Sequence, residues 1–213
     1  MGVVALALGW ANAQEPAHEV WAGTLSVVGT RSIPLLGTVE YRTDTHVLAV
    51  AIQVAEDRWS VTQQVCDLNF SKALGATVRV APDATRSIPP TRFDWVRGPD
   101  GMWSTVWLGG WNDTDFDKDG KPGISFHVGA LVCGGTLHIA SAARNEATAD
   151  APGPHNGKLK IWTEQQILAT EGACLKVMAK DRKEWLYGRY SFVVAPDATC
   201  EVPGVIWPDP FLK

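Results

Sequence analysis

The sequence predicts an all-β protein, a single antiparallel β-barrel or sandwich of about 10–12 strands. Three observations point to this class. Short alternating or apolar runs, separated by turn residues, recur along all 213 residues. Twenty glycines and thirteen prolines are spread through the chain, as in turn-rich β proteins. Amphipathic helical periodicity is missing, and only a short turn is predicted at 165–170.

The runs define the predicted strands. In chain order they lie at 20–28, 38–42, 45–54, 58–66, 77–80, 93–96, 102–108, 124–132, 136–142, 158–163, 173–179, 185–194 and 205–207. The segment 45–54 is apolar on both faces, which predicts a central strand. Gly134-Gly135 is typical of a two-residue hairpin turn. That hairpin would place His127 and His138 on the order of 13 Å apart, so both are interpreted as ordinary strand residues.

An acidic loop at residues 112–123 predicts a calcium site. Four aspartates alternate along it, and Ca²⁺ takes 6–8 oxygen ligands that such a turn supplies. Asp115, Asp117 and Asp119 fit positions 1, 3 and 5 of a D-x-D-x-D-G pattern. Gly120 fits position 6, where the chain turns sharply and a positive φ favours glycine. The predicted ligands are Asp113, Asp115, Asp117, Asp119 and the backbone carbonyl of Lys121.

Over about ten residues this loop resembles the calcium loops of EF-hand, dockerin and thrombospondin type 3 proteins. It departs from the EF-hand at position 12, where Phe126 stands in place of a bidentate Glu. Pro122 and Gly123 also prevent a helix from starting there in the usual way. The resemblance implies a structural Ca²⁺ whose shell is completed from elsewhere or by water. The alternative is a solvated acidic turn without metal.

Two short sequences occur twice and predict an ancient duplication. VAPDAT at 80–85 recurs at 194–199, and GTLSV at 23–27 is echoed by GTLHI at 135–139. We predict half-repeats at about 18–110 and 130–213 within one β domain at 14–213, with the acidic loop between them. The alternative is that Pro-Asp-Ala-Thr is favourable turn chemistry used twice.

Residues 1–13 are typical of the remnant of a secretory signal. An apolar run at 3–8 precedes Ala11-Asn12-Ala13, which fits an A-x-A cleavage site. The alternative is an apolar first strand.

No apolar run reaches the ~18 residues of a spanning helix, so no transmembrane segment is predicted. The net charge of −4 without a basic tract makes nucleic acid an unfavoured partner.

The four cysteines also favour an oxidising compartment. None forms a C-x-x-C pair, which argues against a zinc or thioredoxin-like site. Two disulfides are therefore predicted among Cys66, Cys133, Cys174 and Cys200, in any of three connectivities. The predicted location is secreted, periplasmic or at the cell surface.

Aromatic residues suggest where a ligand would bind. Of ten tryptophans, Trp103, Trp107 and Trp111 approach the acidic loop, and aromatics beside polar groups stack on sugars or line apolar pockets. Core packing is the alternative.

Glu164, followed by two glutamines, is the best polar cluster near a strand end. A solvated rim explains this cluster as well.

These observations favour a calcium-stabilised, non-enzymatic barrel that binds an apolar molecule or a glycan. The first alternative is an extracellular or envelope protein that binds a protein partner or self-assembles. The second is a hydrolase, which the absence of a nucleophile or metal-protease motif disfavours. Enzymatic activity is left open.

Overall fold

The computed structural model describes residues 17–33, 37–71, 76–130, 133–150, 154–204 and 206–211. The predicted signal segment at 1–13 lies outside the described residues. Ten strands and two short helices are described. They are β1 His18–Ile33, β2 Gly37–Ala55, β3 Arg58–Phe70, β4 Thr77–Val80, α1 Pro82–Arg86, β5 Thr91–Arg97, β6 Trp103–Trp111, β7 Ile124–Gly129, β8 Gly135–Ala149, β9 Asn156–Glu171, α2 Ala173–Met178 and β10 Arg182–Val194.

Eight of these strands close into an antiparallel barrel, which confirms the predicted fold class. The order is β8-β6-β5-β3-β2-β1-β10-β9, and β9 returns to β8 through a long ladder from Thr136–Glu171 to Thr148–Lys158. β7 and β4 extend the sheet outside this ring, with β7 paired to β8 and β4 to β7. Closure gives every barrel strand two hydrogen-bonded neighbours, which protects strand edges, although β5 and β6 pair only at Val96–Ser104 and Arg97–Trp103.

The barrel interior is filled largely by aromatic side chains. Side chains alternate between the two faces of each strand, and those of one parity meet inside. Phe93 stacks on Trp107 with ring centroids 4.6 Å apart, and Trp21 packs against Trp59 at 5.4 Å. The first apolar cluster comprises Trp21, Leu25, Val27, Val47, Ala49, Ala51, Trp59, Val61, Phe93, Trp95, Trp103, Trp107, Ala147, Ala149, Leu159, Leu186, Tyr190 and Phe192.

A second apolar cluster joins the outer strands to the barrel. Phe126 of β7 packs edge-on against Phe70 of β3 at 5.7 Å and stacks on Trp111 of β6 at 6.0 Å. Its buried members are Val80, Ala84, Ile88, Ile124, Phe126 and Ile139. This cluster explains why β4, β7 and α1 stay attached although they lie outside the ring.

Four local predictions are wrong. Residues 206 and 207 of the predicted strand 205–207 are not in a strand. Residues 173–178 of the predicted strand 173–179 form helix α2, because Gly172 has φ 115 and turns the chain out of β9. Residues 165–170 belong to β9 and do not form a turn. The β7–β8 register pairs Phe126 with Leu137, and Gly135 already belongs to β8 opposite Val128, so Gly134-Gly135 is not the predicted two-residue turn. Phe126 and Leu137 belong to or pack on the second apolar cluster, and burial of one face fixes a register more strongly than a glycine pair does.

Both predicted disulfides are present, and the structure selects their connectivity. Cys66 of β3 is bonded to Cys200, and Cys133 is bonded to Cys174 of α2. The first bond ties the C-terminal segment to the barrel. There, Asp209 pairs with Arg42 at 3.1 Å, and Trp207 stacks on His46 at 4.8 Å. Two disulfides are consistent with an extracellular or otherwise oxidising compartment.

The repeated sequences occupy different places in the fold. Val80 ends β4, outside the ring, whereas Val194 ends the barrel strand β10. The GTLSV and GTLHI copies lie in β1 and β8, which are both barrel strands. The half-repeats at 18–110 and 130–213 stay a prediction.

Candidate metal centre and adjoining cavity

The acidic loop interrupts what is otherwise one continuous strand. β6 and β7 both run antiparallel along the same edge of β8. β6 ends with Trp111 opposite Ser141, and β7 begins with Ile124 opposite Ile139. The loop therefore leaves the sheet edge and returns to it almost at the point of departure. Its shape has to be fixed by its own contacts and by the strands beneath it.

The loop brings three of the predicted ligands together. Asp115, Asp117 and Asp119 each offer a carboxylate oxygen, and these three oxygens lie within 4.8 Å of one another. Lys118 with φ 58 and Gly120 with φ 79 are left-handed, and this curvature makes alternate side chains converge. The positive φ predicted for Gly120 is confirmed.

Backbone N–H groups hold two of the carboxylates. Asp115 accepts hydrogen bonds from the N–H of Asp119 at 3.1 Å and of Gly120 at 2.9 Å. Asp119 accepts from the N–H of Lys121 at 2.8 Å. The base of the loop is closed where the N–H of Gly123 donates to the carbonyl of Asp113 at 3.1 Å. The loop is thus ordered by its own polar groups.

Asp117 has one carboxylate oxygen without a partner. Its Oδ2 accepts from the N–H of Ser125 at 2.8 Å. Its Oδ1 is shielded from solvent and has no hydrogen-bond partner. An unsatisfied buried polar group costs about 1–3 kcal/mol, and a charged one costs more. Together with the all-oxygen donor set, this orphaned atom fits a hard cation such as Ca²⁺.

A buried polar network supports the cluster from the barrel side. The hydroxyl of Ser125 donates to Asp119 at 2.6 Å and lies 2.9 Å from Nδ1 of His138. Because that hydroxyl has a single proton, it accepts from Nδ1–H of His138. The Ser125 contact holds the pKa of Asp119 below its ordinary value, with smaller contributions from the N–H and ammonium of Lys121 and from His138. Asp119 therefore stays charged, as a metal ligand must.

Glu171, at the end of β9, lies beside this network without forming a hydrogen bond to Nε2 of His138. Its Oε1 lies 3.5 Å from Nε2 of His138 and 3.5 Å from Nζ of Lys121. Ser125, His138 and Glu171 follow the order nucleophile, base and orienting acid. Ser125 is only 3% exposed and His138 only 1%, and the serine proton is already given to Asp119. The trio therefore positions the loop and is closed to a substrate.

Two predicted ligands lie apart from the carboxylate cluster. Asp113 is exposed and is not a member of it, and its carbonyl is used to close the loop. Lys121 directs its ammonium group to Glu171. Ligation by its carbonyl stays a prediction.

A cavity of about 680 Å³ adjoins the loop. It lies where β6, β8, β9 and the start of β10 run side by side. Four of its lining residues form one register row across these strands: Trp111, Ser141, Gln165 and Arg182. Directly paired residues project to the same face of the sheet. Trp111 lies four residues after Trp107 in β6, so this row faces the same side as Trp107 of the first apolar cluster. The cavity is also lined by Pro89, Gly109, Gly110, Asn112, Phe116, Ala140, Ala142, Glu164, Gln166, Asp181 and Lys183.

The cavity combines two aromatic rings with many polar groups. Trp111 is fixed because its indole N–H donates to the carbonyl of Ile139 at 2.7 Å. Glu164 pairs with Lys183 at 2.7 Å and accepts from the indole of Trp162 at 3.1 Å. These two hydrogen bonds, that of Lys183 foremost, hold the pKa of Glu164 below its ordinary value. Such a lining recognises a ligand that offers both an apolar face and hydroxyl or amide groups.

The three tryptophans predicted to bind a ligand occupy different environments. Trp103 and Trp107 are 5% and 6% exposed within the first apolar cluster. Trp111 lines the cavity and packs on the second cluster. The Glu164-Gln165-Gln166 segment, predicted as a polar cluster, also lines the cavity.

Sequence reasoning missed the support behind the loop. The sequence predicts an ordinary strand residue at His138, whereas this residue lies directly opposite Ser125. Glu171 reaches this site only through the β8–β9 ladder, where it pairs with Thr136. The available signal was Ser125 itself, a polar residue between the apolar Ile124 and Phe126.

No protein-family model, no curated protein and no solved structure matches this chain. The site is therefore interpreted from its own geometry. Among the described residues, none of the helices has the length and apolar character required to cross a membrane.

Proposed function

We propose that this chain is an exported, calcium-stabilised β-barrel that binds a glycan in the cavity beside the acidic loop. The observation that carries the proposal is the shielded, unpartnered Oδ1 of Asp117 within a converging group of three carboxylates. Two disulfides support export to an oxidising compartment. No step of covalent chemistry is part of this function.

Calcium would act by fixing the loop. Asp115, Asp117 and Asp119 would hold the ion, with any remaining positions filled by a carbonyl or by water. The ion supplies positive charge that offsets repulsion among the carboxylates. Without it, the loop would be held by its internal hydrogen bonds, the Ser125 network, the Lys121–Glu171 ion pair and the packing of Phe116 on the second apolar cluster.

The loop connects the proposed ion to the cavity. Asn112 and Phe116 line the cavity and belong to the loop, and the N–H of Phe116 donates to the carbonyl of Gly123 at 3.3 Å. A loop ordered by calcium therefore places one aromatic wall of the binding site. The polar side chains of the cavity row, Ser141, Gln165 and Arg182, favour a glycan over a purely apolar molecule, since polar groups that a ligand leaves unpaired weaken its binding.

A glycan array read in excess Ca²⁺ and in excess chelator tests this function. We expect binding in Ca²⁺ that weakens about tenfold or more in chelator and in Asp117→Asn. Gln165→Leu, which keeps the volume but removes the amide of the cavity row, should also lose binding. Asp113→Asn and Gln53→Leu are the matched controls and should bind as the wild type does.

Three results would count against the proposal. Absence of binding to any glycan would show that the ligand is not a glycan. Equal binding in Ca²⁺ and in chelator would show that calcium in the loop does not affect glycan binding in the cavity. Unchanged binding by Gln165→Leu would place the ligand elsewhere.

A further inference from the structure

A pair of tryptophans lies on the outer face of the barrel. Trp162 of β9 and Trp185 of β10 are register partners, with ring centroids 5.3 Å apart and planes inclined by 54°. Trp185 is 38% exposed. With Arg144 and Glu146 of β8 they line a cleft of about 440 Å³, which we term the outer cleft.

The rings and charges of the outer cleft hold one another in place. The indole N–H of Trp162 donates to Glu164 at 3.1 Å. The ammonium of Lys160 lies 3.8 Å from the ring centroid of Trp185, and Arg144 pairs with Glu146 at 3.1 Å. Preorganised aromatic side chains bind with a small entropy cost, because little rotamer freedom is left to lose.

This face of the barrel is positively charged although the chain carries −4 overall. Five cations and two carboxylates project from the outer face of three neighbouring strands. The segments counted are residues 142–148 of β8, 158–164 of β9 and 183–189 of β10. The cations are Arg144, Lys158, Lys160, Lys183 and Arg189, and the carboxylates are Glu146 and Glu164. Asp150, just beyond β8, pairs with Lys158 at 3.5 Å and still leaves an excess of positive charge. The charge complements an anionic ligand.

We propose that the outer cleft binds an acidic polysaccharide, one whose sugars carry carboxylate or sulfate groups. The apolar face of a pyranose ring packs on an indole, and the guanidinium of Arg144 matches a carboxylate or sulfate in a bidentate arrangement. A protein partner fits less well, because charged residues are depleted at the centre of protein interfaces. Single-stranded nucleic acid also stacks on aromatics, but it needs a longer basic groove than this face offers.

The outer cleft and the cavity share no lining residue, although they are neighbours: Glu164 of the cavity lining accepts the indole N–H of Trp162. Variants at residues that line only one of the two sites therefore distinguish failure of one proposal from failure of the other. A polysaccharide that enters the cavity is recognised by its sensitivity to Gln165→Leu, and one that occupies the outer cleft by its sensitivity to changes at Trp185 and Arg144.

Affinity electrophoresis through gels containing polygalacturonate or heparin, with dextran as the neutral polysaccharide, tests the proposal. We expect retardation by the acidic polymers only, with an apparent Kd about tenfold weaker in Trp185→Leu and in Arg144→Ala. Trp185→Phe, which keeps an aromatic face, should bind nearly as well as the wild type. Arg92→Ala removes an exposed arginine of β5 and is the matched charge control. Thermal melting of each variant separates lost binding from lost folding.

Several outcomes would overturn the assignment. No retardation by either acidic polymer, or equal retardation by dextran, would exclude an acidic polysaccharide. Full binding by Trp185→Leu would exclude the outer cleft. Tighter binding to single-stranded DNA than to both polymers would assign the cleft to nucleic acid. Added salt should weaken the predicted binding, because screening reduces the attraction between exposed charges.

Discussion

At the scale of single residues, the acidic loop shows what a short motif determines. Alternating aspartates and a glycine at the sixth position predicted a turn with converging carboxylates, and Asp115, Asp117 and Asp119 do converge. The pattern was local in sequence, so local reasoning sufficed. The partners of these carboxylates were not predictable in this way, because Ser125 and His138 meet them through the β7–β8 register.

Gly123 tests how tightly the loop is joined to the sheet. It has φ 82, and a Cβ there would lie 2.4 Å from the carbonyl oxygen of Ile139. Gly120 has a similar φ of 79, but a Cβ there would meet nothing within 4 Å. Both Ala substitutions should cost about 1–2 kcal/mol for the left-handed backbone, and Gly123→Ala about 1–3 kcal/mol more for the clash.

Urea unfolding of the two glycine variants measures this difference in the free energy of unfolding. Gly120→Ala is the matched control, because it changes the same residue type within the same loop. Equal losses of stability in the two variants would mean that the loop base does not contact β8 as described.

At the scale of elements, strand positions followed from the sequence better than strand pairing did. Alternation and apolar runs located most of the barrel strands, since their faces differ in burial. The helix α2 was missed because its sequence, ACLKVM, is as apolar as a strand, and only the turn at Gly172 and the bond from Cys174 to Cys133 distinguish it. The order of strands around the barrel depends on contacts distant in sequence, which no local pattern contains.

The C-terminal segment gives a prediction about pH. His46 of β2 stacks on Trp207 and lies 3.3 Å from the amide of Asn69. Burial lowers the pKa of His46, and the nearby charges of Asp67 and Asp44 oppose this effect only in part. The unfolded chain takes up a proton near the ordinary value of about 6.5, while the folded chain resists protonation. Stability is therefore full above about pH 6.5 and is lost as the pH falls towards the lower folded-state pKa.

Melting temperatures between about pH 7 and pH 5 test the direction of this pH dependence. The melting temperature of the wild type should fall with pH across this window, and that of His46→Gln should fall less. His18→Gln, at an exposed position of β1, is the control and should follow the wild type. Identical profiles for all three proteins would show that His46 does not contribute.

At the scale of the whole molecule, the barrel provides the packed core, and the loop provides the proposed metal site. The ring of eight strands closes around an aromatic interior and needs no metal to explain its packing. The acidic loop lies beside the cavity, which Asn112 and Phe116 help to line, and Phe116 also packs on the second apolar cluster. The all-β class could be predicted because turn residues and apolar runs fill the sequence. The cavity could not, since its walls come from strands far apart in the chain.

The central claim, that the acidic loop binds calcium in the folded state, is tested most directly by thermal melting with and without the ion. Ca²⁺ at about a hundredfold excess over its Kd should stabilise the wild type by about 2.7 kcal/mol and raise the melting temperature by roughly 5–10 °C. Excess chelator should remove the shift. Asp117→Asn should show little or no shift, and Asp113→Asn should keep most of it. Equal melting temperatures of the wild type in Ca²⁺ and in chelator would contradict the account.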